Sequence, residues 1–250
     1  MAPKNKVTDK QGLNQVDAEW NEENAQILQG MFGFSIGEQA IPALTIVQDK
    51  SNIPGYRGHV GEIYNTVTHE FYQKIEVLIV GMNTPRAVFP FPYSNGSSQL
   101  CSSVDGIVPY AKYVGSKITA SSAFDEQTIV IPEACEDCPL FDSPLCTRMF
   151  RYFGLTVHDM QVMTFRLKKS AMPAAKELNY WLNQLAQRAQ FRTFYFSARE
   201  TNSGGNSFFV PVFEVGRDAT NMLKEAYNMN RLLEDRIRQV SQQQLTGGEE

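Results

Sequence analysis

The sequence predicts a mainly β fold with flanking helices, a β-rich α+β arrangement in which a curled sheet carries a cysteine-bounded insertion and a long C-terminal helix. Three observations carry that expectation. Short runs of β-branched and aromatic residues recur through residues 41–217, separated by turn-forming segments. Two stretches with helical apolar spacing, near 170–190 and at 218–244, flank the last of these runs. All four cysteines fall between Cys101 and Cys146. With 42% hydrophobic and 11% aromatic residues among 250, the chain has enough apolar side chains to bury a core, which excludes wholesale disorder.

Taken in order, residues 1–16 are polar, and Asp17 opens a helix whose apolar stripe (Trp20, Ala25, Ile27, Leu28, Met31) ends at Gly33. The segment 41–47, IPALTIV, is a short strand that Pro42 confines to an edge. GEIYNTVTHEFYQKIEVLIVG follows as a hairpin turning near Asn65–His69. Its second limb places Phe71, Ile75, Val77 and Ile79 on one face and Tyr72, Lys74 and Glu76 on the other. Residues 85–93, PRAVFPFPY, are proline-rich and predict an edge segment bearing exposed aromatics.

Beyond the cysteines, Gln161–Lys169 alternates cleanly, with Met163, Phe165 and Leu167 inward and Thr164, Arg166 and Lys168 outward. A helix over 170–190 follows, with Ser170 as N-cap, Pro173 in the first turn and a stripe of Leu178, Trp181, Leu182 and Leu185. FRTFYFSARET and SFFVPVFEV are two strands joined by NSGGN. From Asp218 to about Gln244 a long helix carries Met222, Ala226, Met229, Leu233 and Val240 near a/d spacing, a stripe suited to packing on its own domain or to self-association.

Cys101, Cys135, Cys138 and Cys146 are spaced C-x33-C-x2-C-x7-C. A C-x2-C turn grips one metal ion with two thiolates, and two further cysteines complete the closed tetrahedral set of structural Zn2+. Buried thiols or two disulfides are the alternatives. The lack of an apolar signal peptide makes an oxidising compartment unexpected and weighs against disulfides, in favour of a cytoplasmic protein. No apolar run is long enough to cross a membrane as a helix.

Net charge is −4, yet it is unevenly distributed. Residues 1–49 hold three Lys against seven Asp/Glu, residues 50–217 hold sixteen Lys/Arg against fourteen acids, and residues 218–250 hold four against six. Within 160–199 there are seven basic residues and one acid, Glu177. A basic centre between acidic ends fits an anionic polymer as ligand. Catalysis has little support. His59, His69 and His158 sit in no metalloprotease or deaminase pattern, and there is no nucleophile-elbow or phosphate-cradling glycine motif. The expectation is a binding protein and not an enzyme.

Single-stranded nucleic acid needs a cationic groove along the phosphates and flat rings for base stacking. The candidate cations are Lys74, Arg86, Arg166, Lys168, Lys169, Arg192 and Arg199. Tyr72, Phe91, Tyr93, Tyr195 and Phe209 are the candidate stacking rings, with Phe89 beside them. Strand alternation places Arg192 on one face with Phe194 and Phe196, and Tyr195 on the other with Thr193 and Arg199.

The order IPALTIVQDKS, GEIYNTVTHEFY, QLCSSVDGIVP with ACEDCPL…C, then QVMTFRLKK, a helix, FRTFYFSARET and FFVPVFEV resembles the single-stranded DNA-binding proteins of tailed bacteriophages over about residues 40–215. The resemblance implies an OB-like barrel with a zinc-stabilised insertion. It also implies sequence-tolerant coating of single-stranded DNA during phage DNA replication, recombination and repair, with phage replication or recombination proteins as partners. Relatives hold zinc with one His and three Cys, where this chain has four cysteines. They recruit partners through an acidic tail, where this chain ends in only Glu249-Glu250 after a long helix. The expected organisation is an N-terminal arm and helix (1–39), a core (40–217) with the zinc insertion at 100–150, and a C-terminal helix and tail (218–250). The rival expectation is a zinc-stapled structural or protein–protein adaptor that self-associates through 218–244.

Overall fold

A computed structural model describes residues 41–49, 51, 53, 55–91, 98–232 and 235. The expected helix over 17–33, Tyr93, and the far end of the C-terminal helix lie outside the described residues. The described chain is mainly β and antiparallel, with two α-helices.

β1 (Leu44–Ile46), β2 (Ile63–Asn65) and β3 (Phe71–Tyr72) form a three-stranded sheet, the last two joined by the expected turn. The chain breaks pairing at Gln73, and β4 (Lys74–Asn83) enters a larger sheet. There it is flanked by β9 (Cys146–Thr156) and by β11 (Arg192–Ser203), which in turn pairs with β12 (Asn206–Asp218). β10 (Val162–Lys168) pairs with the opposite edge of β9. β5 (Arg86–Val88) continues the line of β4 along β9 and pairs on its other side with β6 (Cys101–Ser103). The expectation of an edge segment at 85–93 is therefore corrected. Only three residues pair, and Pro85 and Pro90 flank them where no ladder hydrogen bond is lost.

β9 is the longest of the strands that sequence reasoning missed, and the expected insertion boundary at 150 cuts through it. Phe150 and Tyr152 face the main core, while Leu155 on the other face is also buried. With both faces covered, β9 shows no polar alternation. Gly154 permits its close packing, since a Cβ there would lie 2.2 Å from the Leu78 carbonyl oxygen.

The core is aromatic. Tyr152 stacks on Phe165 at 5.0 Å, Phe165 lies 5.2 Å from Phe196, and Phe196 stacks on Phe213 at 4.9 Å. Burying each such ring contributes about 1.5–3 kcal/mol. Met163, Phe165 and Leu167 point inward as expected. α1 (Met172–Gln187) covers one end of this core with Ala175 and Leu178. It starts with Pro173 in its first turn, but Ser170 lies in the preceding 3-10 turn and does not cap it. A register shift between Arg192 and Phe194 also corrects the predicted alternation. Phe194 and Phe196 are buried, whereas Arg192 turns back to donate two hydrogen bonds to the Gly216 carbonyl, at 2.9 and 2.6 Å. β11 and β12 are linked by Gly204-Gly205, whose φ angles of 57° and 80° are those of the tight hairpin that the strand twist favours.

The pairing of the large sheet among the described residues does not return on itself. β1 bridges its ends by other means. Thr164 of β10 donates to the Pro42 carbonyl at 2.8 Å. The Gln48 side chain, just past β1, donates to the Phe209 carbonyl and accepts from the Phe209 amide, at 2.8 and 2.9 Å.

On the outer face of β4 and β9, α2 (223–232, preceded by a 3-10 turn at Thr220–Met222) packs within the chain. Ala219, Met222, Ala226 and Met229 lie against Leu78, Val80 and Leu155. The apolar stripe expected at 218–244 thus begins as an intramolecular contact. No helix among the described residues is long and apolar enough to cross a membrane.

Candidate functional site

β6, the hairpin of β7 (Lys117–Ser121) and β8 (Glu126–Val130), and the loop to β9 enclose a separate small core of Val88, Ala120, Leu140 and Leu145. The register of β5 explains how distant cysteines meet. Val88 pairs with Cys101 of β6 on one side and with Cys146 of β9 on the other. Cys135 and Cys138 bracket a 3-10 turn closed by a 3.1 Å bond from the Cys138 amide to the Cys135 carbonyl. All four cysteines are free thiols lining one small pocket. Burial pushes the Cys101 thiol up to about 12, reinforced by Cys135, Cys146 and Cys138. Burial also raises Cys135, against a hydrogen bond with Ser103, and Cys146, against Arg86. The donor set suits a soft divalent cation, whose charge would reverse these shifts. No group of three or more metal-ligating side chains among the described residues stands in ligating geometry.

Arg86 also lines this pocket. Its guanidinium lies 3.6 Å from the centre of the Phe141 ring, donates to the Phe141 carbonyl and bonds Cys146. A phosphate contact at Arg86, as expected from the sequence, would compete with these partners.

Between this module and the sheet runs a cleft of about 310 Å³, open to solvent. It is lined by Phe89 and Phe91 after β5, Ser121 and Ser122 at the end of β7, and Lys168 and Lys169 at the end of β10. Lys169 has a φ of 49°, a left-handed conformation costing about 1–2 kcal/mol for a residue with a Cβ. The bend lets two consecutive lysines line the same cleft, where an extended strand would point them apart. Phe91 is 52% exposed, and the Lys168 ammonium lies 5.6 Å from the Phe89 ring centre. Desolvation lowers the Lys168 pKa, and Lys169 and Arg166 lower it further.

Behind the cleft, three residues stand in register across the sheet, Asn83 of β4, Arg151 of β9 and Arg166 of β10. Burial and the neighbouring Arg166 bring the Arg151 guanidinium down to about 10. Its Nε and both polar atoms of the Asn83 amide are buried without a hydrogen-bond partner. Arg151 was not legible because β9 itself was missed, and Asn83 because the predicted hairpin limb stopped at Gly81, short of the end of β4.

The remaining expected contacts lie elsewhere. On β4, β11 and β12, Lys74 pairs with Glu214 at 2.6 Å and sits 4.5 Å above the Tyr195 ring. Glu76 on the same sheet accepts from Arg217 at 3.0 Å and from Thr193 at 2.6 Å. Acids therefore neutralise this face. Tyr72 donates to Glu70 at 2.5 Å, and its ring lies 5.9 Å from that of His158. Arg199 is exposed far along the hairpin. Phe209 lies against Gly61 at the β1 seam, where a Cβ on Gly61 would come within 2.5 Å of the ring. The structure brings Phe91, Lys168 and Lys169 together with Arg166 nearby, and it does not join them to Tyr72, Lys74, Arg192, Tyr195, Arg199 and Phe209 in one groove.

Comparison with protein-family models, with curated proteins and with solved structures found no match to this chain.

Proposed function

We propose that this chain binds and coats single-stranded DNA without strong sequence preference, in the manner of the phage proteins its sequence resembles, and serves phage replication, recombination and repair without catalysis. The observation that carries this reading is the cleft in which two exposed or half-exposed phenylalanines face two lysines, the combination that stacks bases while tracking phosphates. Arg166 and Arg151 extend positive charge beyond the cleft. The fold reading that accompanies it is an OB-like barrel, with β1 bridging β10 to β12 in place of continuous strand pairing. Structural Zn2+ on Cys101, Cys135, Cys138 and Cys146 would fix the module that forms one cleft wall, with Arg86 offsetting the charge of four thiolates.

The test is a fluorescence-anisotropy titration of labelled oligo-dT, oligo-rU and duplex DNA at low and physiological salt. Tight oligo-dT binding, weak duplex binding and a steep salt slope are expected. Absence of binding to all three at low salt would remove nucleic acid as the ligand. The adaptor reading draws on Tyr227, 59% exposed on the outer side of α2 beside exposed Leu223. An association that persists at high salt and depends on these two residues would favour it.

A further inference from the structure

Phe124 is 99% exposed, the most exposed large apolar side chain among the described residues. Exposed hydrophobic residues are ordinary when scattered singly on a surface. This one differs in how it is held. It occupies the tip of the β7–β8 hairpin, and Ser122 braces the turn beneath it. The Ser122 Oγ accepts from the Phe124 amide at 3.2 Å and from the Asp125 amide at 3.1 Å, while the Ser122 amide donates to the Asp125 carbonyl at 2.7 Å. The hairpin continues down through five paired positions, with Thr119 and Thr128 hydroxyls bonded across it at 3.0 Å. The backbone that carries the ring is thus already ordered, so stacking on it has only the two side-chain torsions left to fix.

The same Ser122, with Ser121, lines the cleft that holds Phe89, Phe91, Lys168 and Lys169. The turn that presents Phe124 is therefore also a wall of the cleft. The two residues after Phe124 are acidic, Asp125 and Glu126, with the Asp125 carboxylate accepting from Gln127 at 3.0 Å. Acids repel phosphates, so a strand that reached Phe124 would meet it with a base and not with its backbone. We propose that Phe124 is a base-stacking residue at the mouth of the cleft, taking a nucleobase of a single strand whose phosphates run past Lys168 and Lys169. This rests on the single-strand reading above and adds to it a contact made by the hairpin.

The full-length chain tests it. Phe124→Ala removes a ring that makes no core contact, so the melting temperature should not move, while oligo-dT affinity should fall roughly 5- to 100-fold. The salt slope should stay the same, because the slope counts phosphates and not bases. On an abasic strand with the same number of phosphates, the variant and the wild type should bind alike. Phe124→Trp should restore oligo-dT affinity, and its added emission should be quenched on binding. Equal oligo-dT affinity for wild type and Phe124→Ala overturns the proposal and leaves the single-strand reading standing. Equal losses on oligo-dT and abasic strands also overturn it, since the contact would not be stacking. Failure of the wild type to bind oligo-dT at all removes both readings.

Discussion

Replacing Arg166 by Gln should stabilise the free protein and weaken its grip on DNA. Arg166 faces Arg151 directly across two antiparallel strands, and Arg151 is held with its Nε buried and unpartnered. Two unit charges about 6 Å apart repel by about 3 kcal/mol at an effective dielectric of 20. Arg166 is exposed, so solvent and salt screen most of this. Like charges directly opposed in a sheet cost about 0.2–1 kcal/mol. Desolvation is the larger cause of the lowered Arg151 pKa and survives the substitution. A gain of about 0.5 kcal/mol at low salt remains, or roughly 1–2 °C in melting temperature for a domain of this size. Scanning calorimetry at about 20 mM and about 0.5 M salt should show that gain fading as the Debye length shortens. In the oligo-dT titration, loss of one phosphate contact should reduce the magnitude of the log–log salt slope by about 0.7. A lower or unmoved melting temperature at low salt would refute the stored repulsion. An unaltered slope would refute the phosphate contact.

Other consequences can be measured separately. Lys168→Gln with Lys169→Gln should reduce the magnitude of the salt slope by about 1.4, whereas Lys74→Gln, whose ammonium is already paired with Glu214, should leave it unmoved in the same titration. Gly154→Ala should destabilise by about 1–3 kcal/mol in a urea melt, since the new methyl meets the Leu78 carbonyl, which cannot rotate away. Metal analysis of the purified chain should find about one zinc per molecule. Arg86→Met should weaken retention against a chromophoric chelator about 10- to 100-fold, as loss of an outer-shell partner does. A metal-free protein that melts at the same temperature with and without added zinc would reduce the four cysteines to buried thiols.

The strands that were legible in the sequence are those with one wet face. β10 shows its inner Met163, Phe165 and Leu167 against outer Arg166 and Lys168, and Gly204-Gly205 marks the β11–β12 hairpin by composition. β9 was hidden because α2 covers its outer face, so that Leu155 there is as apolar as Tyr152 within. Arg192 was misplaced by a one-residue register shift, which no alternation rule anticipates. The four cysteines declared themselves by spacing. Their gathering around Val88 needed the pairing of β5 on both sides, which its prolines had argued against. Arg86 looked like a surface cation until Phe141, far along the chain, was brought beneath it.

The seam at β1 has a consequence for synthesis on the ribosome. Gln48 and the Phe209 backbone that it grips are 161 residues apart in the chain. At roughly 5–20 residues per second, β1 emerges on the order of ten to thirty seconds before that partner exists. During this interval β1 can pair with β2, but the side that later meets β12 has to remain uncommitted, next to neighbouring nascent chains that carry the same segment. Two features described above suit that wait. β1 pairs over only three residues, and Pro42 at its approach lacks an amide that a stray strand could use. The brevity that makes β1 a weak element of the finished sheet keeps its open side from being captured before β12 arrives.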